Sequence, residues 1–220
     1  MSATRADARV GSLRRFDAIR LQTECGFARG AELWGCDEWP EGGLKPAVAE
    51  FARLLAQLVA QADPPDGAVL EVCDMGAGAT VEALARTTRT VIAGLTGLDP
   101  GERRDVPADD RGWQFTFAGE RFFVVTFGPC YGPESSRYAF GLEATYLLFQ
   151  TRSSFVRRWG PGTDRLPDRA REAIRRDFAS AGRRYDLAST LSSLEANRVV
   201  KPAHLGEPPV RWWTKEDGEE

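Results

Sequence analysis

The chain contains a single histidine, His204, which limits the kinds of metal site that it can form. One imidazole cannot build a multi-histidine metal site, but it can serve as the axial protein ligand of a heme iron. His204 follows a lysine and a proline in the segment 201–204, where an exposed loop residue is the alternative interpretation. From position alone, both interpretations stay open.

The segment 127–138 carries a second set of groups that could do chemistry. Its glycines and prolines fix a loop directly after a predicted strand, and loops placed by a rigid sheet often bind ligands. Arg137 can clamp a carboxylate or a heme propionate through two parallel hydrogen bonds, and Tyr131 and Tyr138 can donate hydrogen bonds. The alternative is a structured turn with an exposed arginine. Ser135 and its neighbouring serine have no histidine nearby, which argues against a serine hydrolase.

A glycine-rich turn at 74–80 resembles the first motif of S-adenosylmethionine methyltransferases. A short apolar strand runs into an acid and a Gly-x-Gly pattern, and a helix follows. Glycines at such a turn let the backbone approach a ligand closely. A methyltransferase would next show a strand ending in an acid, whereas the segment 91–95 fits the end of a helix. An ordinary strand-to-helix turn is the alternative.

The four cysteines predict reduced thiols rather than a zinc site. The cysteines are Cys25, Cys36, Cys73 and Cys130, which lie far apart and form no CxxC pair. Zinc ligands, by contrast, normally come in close pairs. The arginine-rich segment 1–20 has no apolar stretch typical of a secretory signal, and no run approaches the roughly 20 apolar residues of a membrane span. Together these features predict a soluble cytoplasmic protein.

The charge pattern argues against a polyanionic partner. The net charge is −3, with arginines and acids interspersed, so no broad attraction to nucleic acid or to an anionic membrane is expected. The segment 169–184 is rich in arginine, but Glu172 and Asp177 interleave with the basic residues. This pattern favours a solvated helix face over a nucleic-acid interface.

The elements that must position these groups follow from hydrophobic periodicity. Spacing of three to four residues predicts helices, and alternation or short apolar runs predict strands. Helices are predicted at about 2–21, 46–62, 80–97 and 167–182, and strands at 68–73, 141–150 and twice within 113–127. The short, glycine-punctuated segment 24–35 has room for a further strand. The turn Ala118-Gly119-Glu120 makes the last pair a hairpin, which interrupts any regular βαβ alternation. We expect an α+β fold with a mixed, largely antiparallel sheet and flanking helices.

We expect one domain over 1–220, with about 207–220 as a partly flexible tail. Arg211-Trp212-Trp213 near the C-terminus can cover the edge of the core or form the wall of a flat cofactor site.

The stretch WQFTFAGERFFVV at 113–125 is followed by Pro129, Tyr131 and Ser136-Arg137-Tyr138. Together these motifs resemble the central signature of the YqcI/YcgG family. The similarity extends over most of the chain, through the segments 24–28, 69–72, 141–143, 149–150, 204–206 and 211–212. The segment 24–28 lacks the proline that precedes cysteine in the family.

The resemblance implies a one-domain mixed α/β fold and, for some similar proteins, a heme-dependent oxygenase that hydroxylates amine or guanidine nitrogen in a biosynthetic pathway. Those enzymes often carry His-Pro-Arg where this chain has Ser135-Ser136-Arg137. If that histidine ligates heme, then His204, Cys25, Cys130 or a tyrosine must take its place here.

The leading expectation is therefore a heme b-dependent N-oxygenase acting on a small amine or guanidine compound. His204 would ligate the iron, and Arg137, Tyr138 and Tyr131 would contact the cofactor or substrate. An electron donor is an expected partner, and a homodimer stays open. The alternatives are a heme-free binding or accessory protein of the same fold and, third, a methyltransferase.

Overall fold

The computed structural model describes residues 11–36, 39–101, 106–161 and 167–215. Its α-helices are α1 Gly11–Gln22, α2 Gly26–Arg29, α3 Leu44–Val59, α4 Val81–Leu98, α5 Arg152–Trp159, α6 Asp168–Ser180 and α7 Leu187–Leu191, and Glu195–Arg198 forms a 3₁₀ helix. Its strands are β1 Leu33–Gly35, β2 Gly67–Val72, β3 Phe115–Phe117, β4 Glu120–Phe127 and β5 Thr145–Thr151.

The strands form a five-stranded sheet in the order β1-β2-β5-β4-β3. Only the β1–β2 pair is parallel, and the other neighbours are antiparallel. Together with the flanking helices this confirms the predicted α+β fold with a mixed, largely antiparallel sheet. β3 and β4 form the predicted hairpin, and its turn uses left-handed backbone at Ala118 (φ 50°) and Gly119 (φ 82°).

Helices α3 and α4 cover one face of the sheet. α3 presents Phe51, Leu55 and Leu58, all fully buried, at the three- and four-residue spacing of a helix stripe. α4 begins at Val81 because Thr80 caps it, with the Thr80 hydroxyl accepting a hydrogen bond from the Ala83 N–H at 3.1 Å. These helices pack on the sheet in the larger of two apolar clusters.

The opposite face carries a smaller apolar cluster under α1. Phe16 and Ile19 of α1 are buried there against Tyr146 and Leu148 of β5. This confirms the helical interpretation of the segment after residue 10, while its predicted start at residues 2–10 lies outside the described residues. Since α1 covers only part of this face, the rest is available for a cavity.

The segment 24–35 holds a strand, as the sequence allowed, but in only three residues, Leu33–Gly35, and helix α2 precedes it. One strand prediction was partly wrong. The strand predicted from 141 begins at Thr145, because Phe140 (φ 55°) and Gly141 (φ 82°) adopt left-handed backbone and form a turn. The short helices α5 and α7 were not predicted.

The C-terminal segment is anchored to the core by Trp212. Its side chain is buried, and its indole N–H donates to the carbonyl of Ala196 at 2.8 Å. Trp113 packs edge-on against it with ring centroids 5.7 Å apart. The tryptophan therefore covers an edge of the core, and the acidic residues 216–220 lie outside the described part of the chain. No described helix combines the length and apolar character needed to span a membrane.

Candidate functional site

The loop after β4 is held in place by backbone pairing with the segment after α6. The Ser136 N–H donates to the carbonyl of Arg184 at 3.3 Å, and the Arg184 N–H donates to the carbonyl of Glu134 at 2.6 Å. A parallel bridge joins Ser135 and Arg184. This pairing brings Arg137 of the loop next to Tyr185.

Arg137 is a buried cation whose side chain is held by backbone carbonyls. Its side chain donates to two backbone carbonyls, from Nη1 to Thr126 at 3.4 Å and from Nη2 to Arg198 at 2.9 Å. No carboxylate of the described residues lies within ion-pair distance of it, and only 7% of the residue is exposed. A guanidinium offers five N–H donors. Arg137 therefore holds unused donors where an anion would gain most from them.

Arg137 lines a cavity of about 130 Å³ on the α1 face of the sheet. The side chains that enclose it come from α1, α2, α5 and α6 and from the inner positions of β4 and β5. Six phenylalanines contribute to its wall: Phe16, Phe27, Phe123, Phe127, Phe155 and Phe178. A dry apolar cavity of about 150 Å³ is known to bind benzene, so this cavity is sized for one ring.

Four cations contact aromatic rings of the cavity lining. Because a ring face attracts a cation, each of these contacts holds positive charge close to the cavity. The distances from cation to ring centroid are 4.7 Å for Arg158 and Phe27, 5.5 Å for Arg152 and Phe123, 5.8 Å for Arg137 and Phe127, and 5.6 Å for Lys201 and Tyr185.

The buried charges near Arg137 do not balance. Arg152 and Arg198 share the carboxylate of Glu195, at 2.6 and 2.8 Å, and Lys201 pairs with Asp186 at 3.3 Å. With Arg137, this cluster of described residues holds three arginines, one lysine whose pKa burial lowers to about 7, and two carboxylates. The cavity therefore lies in locally positive surroundings and favours an anion.

Gln150 supplies a second polar group to the cavity. It occupies an inward position of β5 opposite Phe123, and only 6% of it is exposed. Its Nε2 has no hydrogen-bond partner among the described residues. Burying an amide without a partner costs free energy, so native proteins normally satisfy such groups with protein, water or ligand.

Two further titratable groups that line the cavity, Cys25 and Tyr185, are neutral. Burial raises the pKa of the Cys25 thiol and that of the Tyr185 phenol above their ordinary values. Cys25 is therefore a thiol at neutral pH, and a thiol is a poor nucleophile and a poor metal ligand. The other cation of the lining, Arg20, pairs with Asp17 at 2.7 Å, whereas Arg137 forms no ion pair with a described residue.

Tyr131 and Tyr138 lie outside this cavity. Tyr131 is buried in the cluster under α3 and α4, where its hydroxyl donates to the Lys201 carbonyl at 2.8 Å and accepts from the Lys201 N–H at 3.0 Å. Tyr138 is half-buried, and its ring packs on Phe140 with centroids 5.2 Å apart. The structure thus assigns Tyr131 a role in holding the loop.

His204 is exposed and lies at a different depression from Arg137. It lines an open groove of about 590 Å³ between α4 and the C-terminal segment, together with Cys130, Arg211 and Trp212. Its backbone N–H donates to the carboxylate of Glu207 at 2.9 Å. The structure therefore does not bring His204 and Arg137 together in one cavity.

Of these two depressions, the groove is the one with room for a porphyrin. Sites for larger ligands measure about 300–1,000 Å³, so the groove is large enough and the Arg137 cavity is far too small. Burial raises the pKa of Cys130 to about 12, so its thiol stays protonated and His204 is the better donor in the groove. The described residues contain no cluster of three or more His, Cys, Asp or Glu side chains suited to a metal ion.

The glycine-rich turn at 74–80 has a packing explanation. A Cβ at Gly78 would lie 2.1 Å from the hydroxyl of Thr145 and 3.2 Å from Pro129. The Gly78 carbonyl accepts a hydrogen bond from the Cys130 N–H at 2.9 Å. Here the glycine permits close contact between two parts of the fold. The sheet also differs from the parallel sheet that this motif serves in methyltransferases.

Comparison of the chain with protein families, with curated proteins and with solved structures finds no match. The resemblance to the YqcI/YcgG family thus stays a prediction that rests on the motifs quoted above. Three of those motif segments nevertheless contribute to one cavity, through Cys25, Arg137 and Gln150.

Sequence reasoning found Arg137 but missed Gln150 and Tyr185 as members of the site. A signal for Gln150 was present, because it is a polar residue at an inward position of an otherwise apolar strand. No local signal marks Tyr185, which reaches the cavity through the pairing of two segments about 50 residues apart.

Proposed function

We propose that this protein binds a small organic anion with a ring-sized apolar body in the Arg137 cavity. This is the heme-free binding or accessory role. The observation that carries the proposal is the buried guanidinium of Arg137, which faces an aromatic cavity without a carboxylate partner among the described residues. Keeping a charge buried and unpaired is costly, and an anionic ligand offsets that cost.

The size and charge of the cavity define the ligand class. A volume of about 130 Å³ admits one ring, and the phenylalanine wall favours an aromatic or alicyclic one. The net positive surroundings select a monoanion over an amine or guanidine cation. A small carboxylate is the simplest anion that pairs with arginine through two hydrogen bonds.

Titration calorimetry with benzoate tests this proposal. We expect wild type to bind benzoate and to bind neutral benzyl alcohol at least about tenfold more weakly, since a hydrogen bond to a charged group contributes about 1.5–3 kcal/mol. Arg137→Met should weaken benzoate binding by about 10- to 100-fold. Arg176→Met, which removes an exposed arginine of α6, is the control and should bind like wild type.

Two results would reject the proposal. One is that wild type shows neither binding heat nor thermal stabilisation at about 20 mM benzoate. That concentration is well above a millimolar Kd, which corresponds to a binding free energy of roughly 4 kcal/mol. The other is equal affinity in wild type and Arg137→Met. Arg137→Lys keeps the charge but loses the planar pair of donors, so an intermediate affinity is expected for it.

We propose a heme-dependent N-oxygenase of small amine or guanidine compounds as the second candidate. It is supported by the groove of about 590 Å³ that contains the single histidine of the chain. His204 would supply the axial nitrogen, Arg211 would pair with a propionate, and Trp212 would form a wall. A heme bound there would supply the activation of dioxygen. Arg137 is not part of the lining of this groove.

The absorption spectrum tests the second candidate. Protein purified from cells fed a heme precursor should show a Soret band that is lost or shifted in His204→Ala. The Arg137→Met variant is the matched control and should keep the band, because Arg137 lies outside the groove. A colourless wild type that gains no band on adding hemin would dismiss the heme role.

We infer a cytoplasmic location for the protein. It is supported by its four free cysteines, which a reducing compartment preserves. Fractionation of the source cells would test it, and recovery of the protein in a secreted or periplasmic fraction would contradict it.

A further inference from the structure

The Nε2 of Gln150 has no hydrogen-bond partner within the described part of the chain, although the residue is nine-tenths buried in the cavity wall. The facing strand offers it Phe123, which cannot hydrogen-bond through its side chain. A half-turn of the amide exchanges its N–H₂ donor and its C=O acceptor, so Gln150 can present either to the cavity. A buried amide in this position fits a polar atom of a ligand.

Gln150 and Arg137 stand at opposite ends of the cavity. Gln150 lies opposite Phe123, while the Arg137 guanidinium bonds to the carbonyl of Thr126 three residues further along β4. A strand rises about 3.3 Å per residue, which separates the two levels by roughly 10 Å. Two hydrogen bonds of about 2.9 Å each leave a span of roughly 4–7 Å for the ligand, allowing for sideways displacement. One six-membered ring with a polar atom on opposite sides spans this distance.

The walls between the two ends are suited to a flat ring. Phe127 stands near Arg137, and Phe123 and Phe155 stand nearer Gln150. Their ring faces and edges pack well on another aromatic ring. The side chains of Val125 and Leu148 form the floor between the ends and offer no hydrogen bond.

We propose that the ligand is an aromatic carboxylate with a hydrogen-bonding group opposite the carboxylate on the ring. Arg137 binds the carboxylate, and Gln150 binds the group at the far end. This assignment rests on the proposed binding role of the Arg137 cavity and adds the chemical class of its ligand. The probe of choice is 4-hydroxybenzoate, whose hydroxyl both donates and accepts and so suits either orientation of the amide.

The test compares 4-hydroxybenzoate with 4-methylbenzoate by titration calorimetry. The two anions have nearly the same shape and differ in the hydrogen-bonding capacity of the far-end group. Wild type should bind 4-hydroxybenzoate about tenfold more tightly. The methyl group of 4-methylbenzoate cannot hydrogen-bond, so the Gln150 amide would stay unpaired in that complex. In Gln150→Leu the preference should disappear or reverse. Gln150→Met repeats the test with an unbranched side chain and guards against a folding defect of the leucine variant.

The outcomes separate this inference from the proposed function. If both compounds and benzoate bind, but wild type shows no preference for the hydroxyl, the role of Gln150 is refuted while the anion site stands. That role is equally refuted if the Gln150 variants keep the wild-type preference. If none of the three anions binds wild type, the proposed function itself fails.

Discussion

Replacing Trp212 by alanine should be the most damaging single change in the C-terminal segment. The side chain is 3% exposed and packs in the larger core cluster, and its N–H bonds to the carbonyl of the fully buried Ala196. Truncation of a buried tryptophan costs about 3–5 kcal/mol, which includes about 1 kcal/mol for the lost hydrogen bond. We therefore expect the free energy of unfolding to fall by about 4 kcal/mol.

Urea unfolding followed by far-ultraviolet circular dichroism would measure this loss. With a slope of about 2.5 kcal/mol per molar urea, 4 kcal/mol lowers the midpoint by about 1.6 M. Trp212→Phe keeps most of the packing and should lose about 1–2 kcal/mol. Trp213→Ala is the matched control, and because Trp213 is only half-buried it should lose less than half as much as Trp212→Ala. A midpoint within about 0.3 M of wild type for Trp212→Ala would refute the packing of this segment on the core.

Two further changes test the burial of a lysine and the close approach of two strands. Burial lowers the pKa of Lys201 from 10.5 to about 7, so between these values the unfolded chain binds more protons and the free energy of unfolding rises with pH. From pH 7 to pH 9, the free energy of unfolding of wild type, measured in urea, should therefore rise by about 1–2 kcal/mol more than that of Lys201→Met. A constant difference would show that the ion pair with Asp186 keeps the lysine protonated. A Cβ at Gly67 would lie 2.2 Å from the carbonyl oxygen of Phe149, so Gly67→Ala should lower Tm by about 4–12 °C. Gly76→Ala meets nothing within 4 Å and should shift Tm by less than about 2 °C, and equal shifts in the two variants would contradict the prediction.

The elements that the sequence predicted well are those whose signals are local. The β3–β4 hairpin could be predicted because alternating aromatic residues flank Ala118-Gly119. Glycine tolerates the left-handed backbone that the tight turn requires. Helix α4 was readable because Thr80 caps it and its apolar residues recur at helical spacing. Neither feature depends on distant parts of the chain.

The sequence was least informative where the spacing of apolar residues did not distinguish a helix from a strand. Residues 24–35 contain both a helical turn and a strand too short to show alternation, so the sequence allowed a strand there without giving its bounds. Helix α5 starts directly where β5 ends, with Thr151 as its cap, and the absence of a loop hid the boundary. In both places neighbouring elements, rather than local propensity, decide where the structure changes.

By itself the sequence determined the fold class, the main helices, the hairpin and the candidate role of Arg137, because periodicity, turn chemistry and residue type act over a few positions. Only the tertiary structure decided which groups share a site. It placed Arg137 with Gln150 inside one aromatic cavity and His204 in a separate open groove. The order of strands sets this partition, since pairing β5 between β2 and β4 brings residues far apart in the chain to the same face of the sheet. Strand order depends on long-range packing, which no local pattern records.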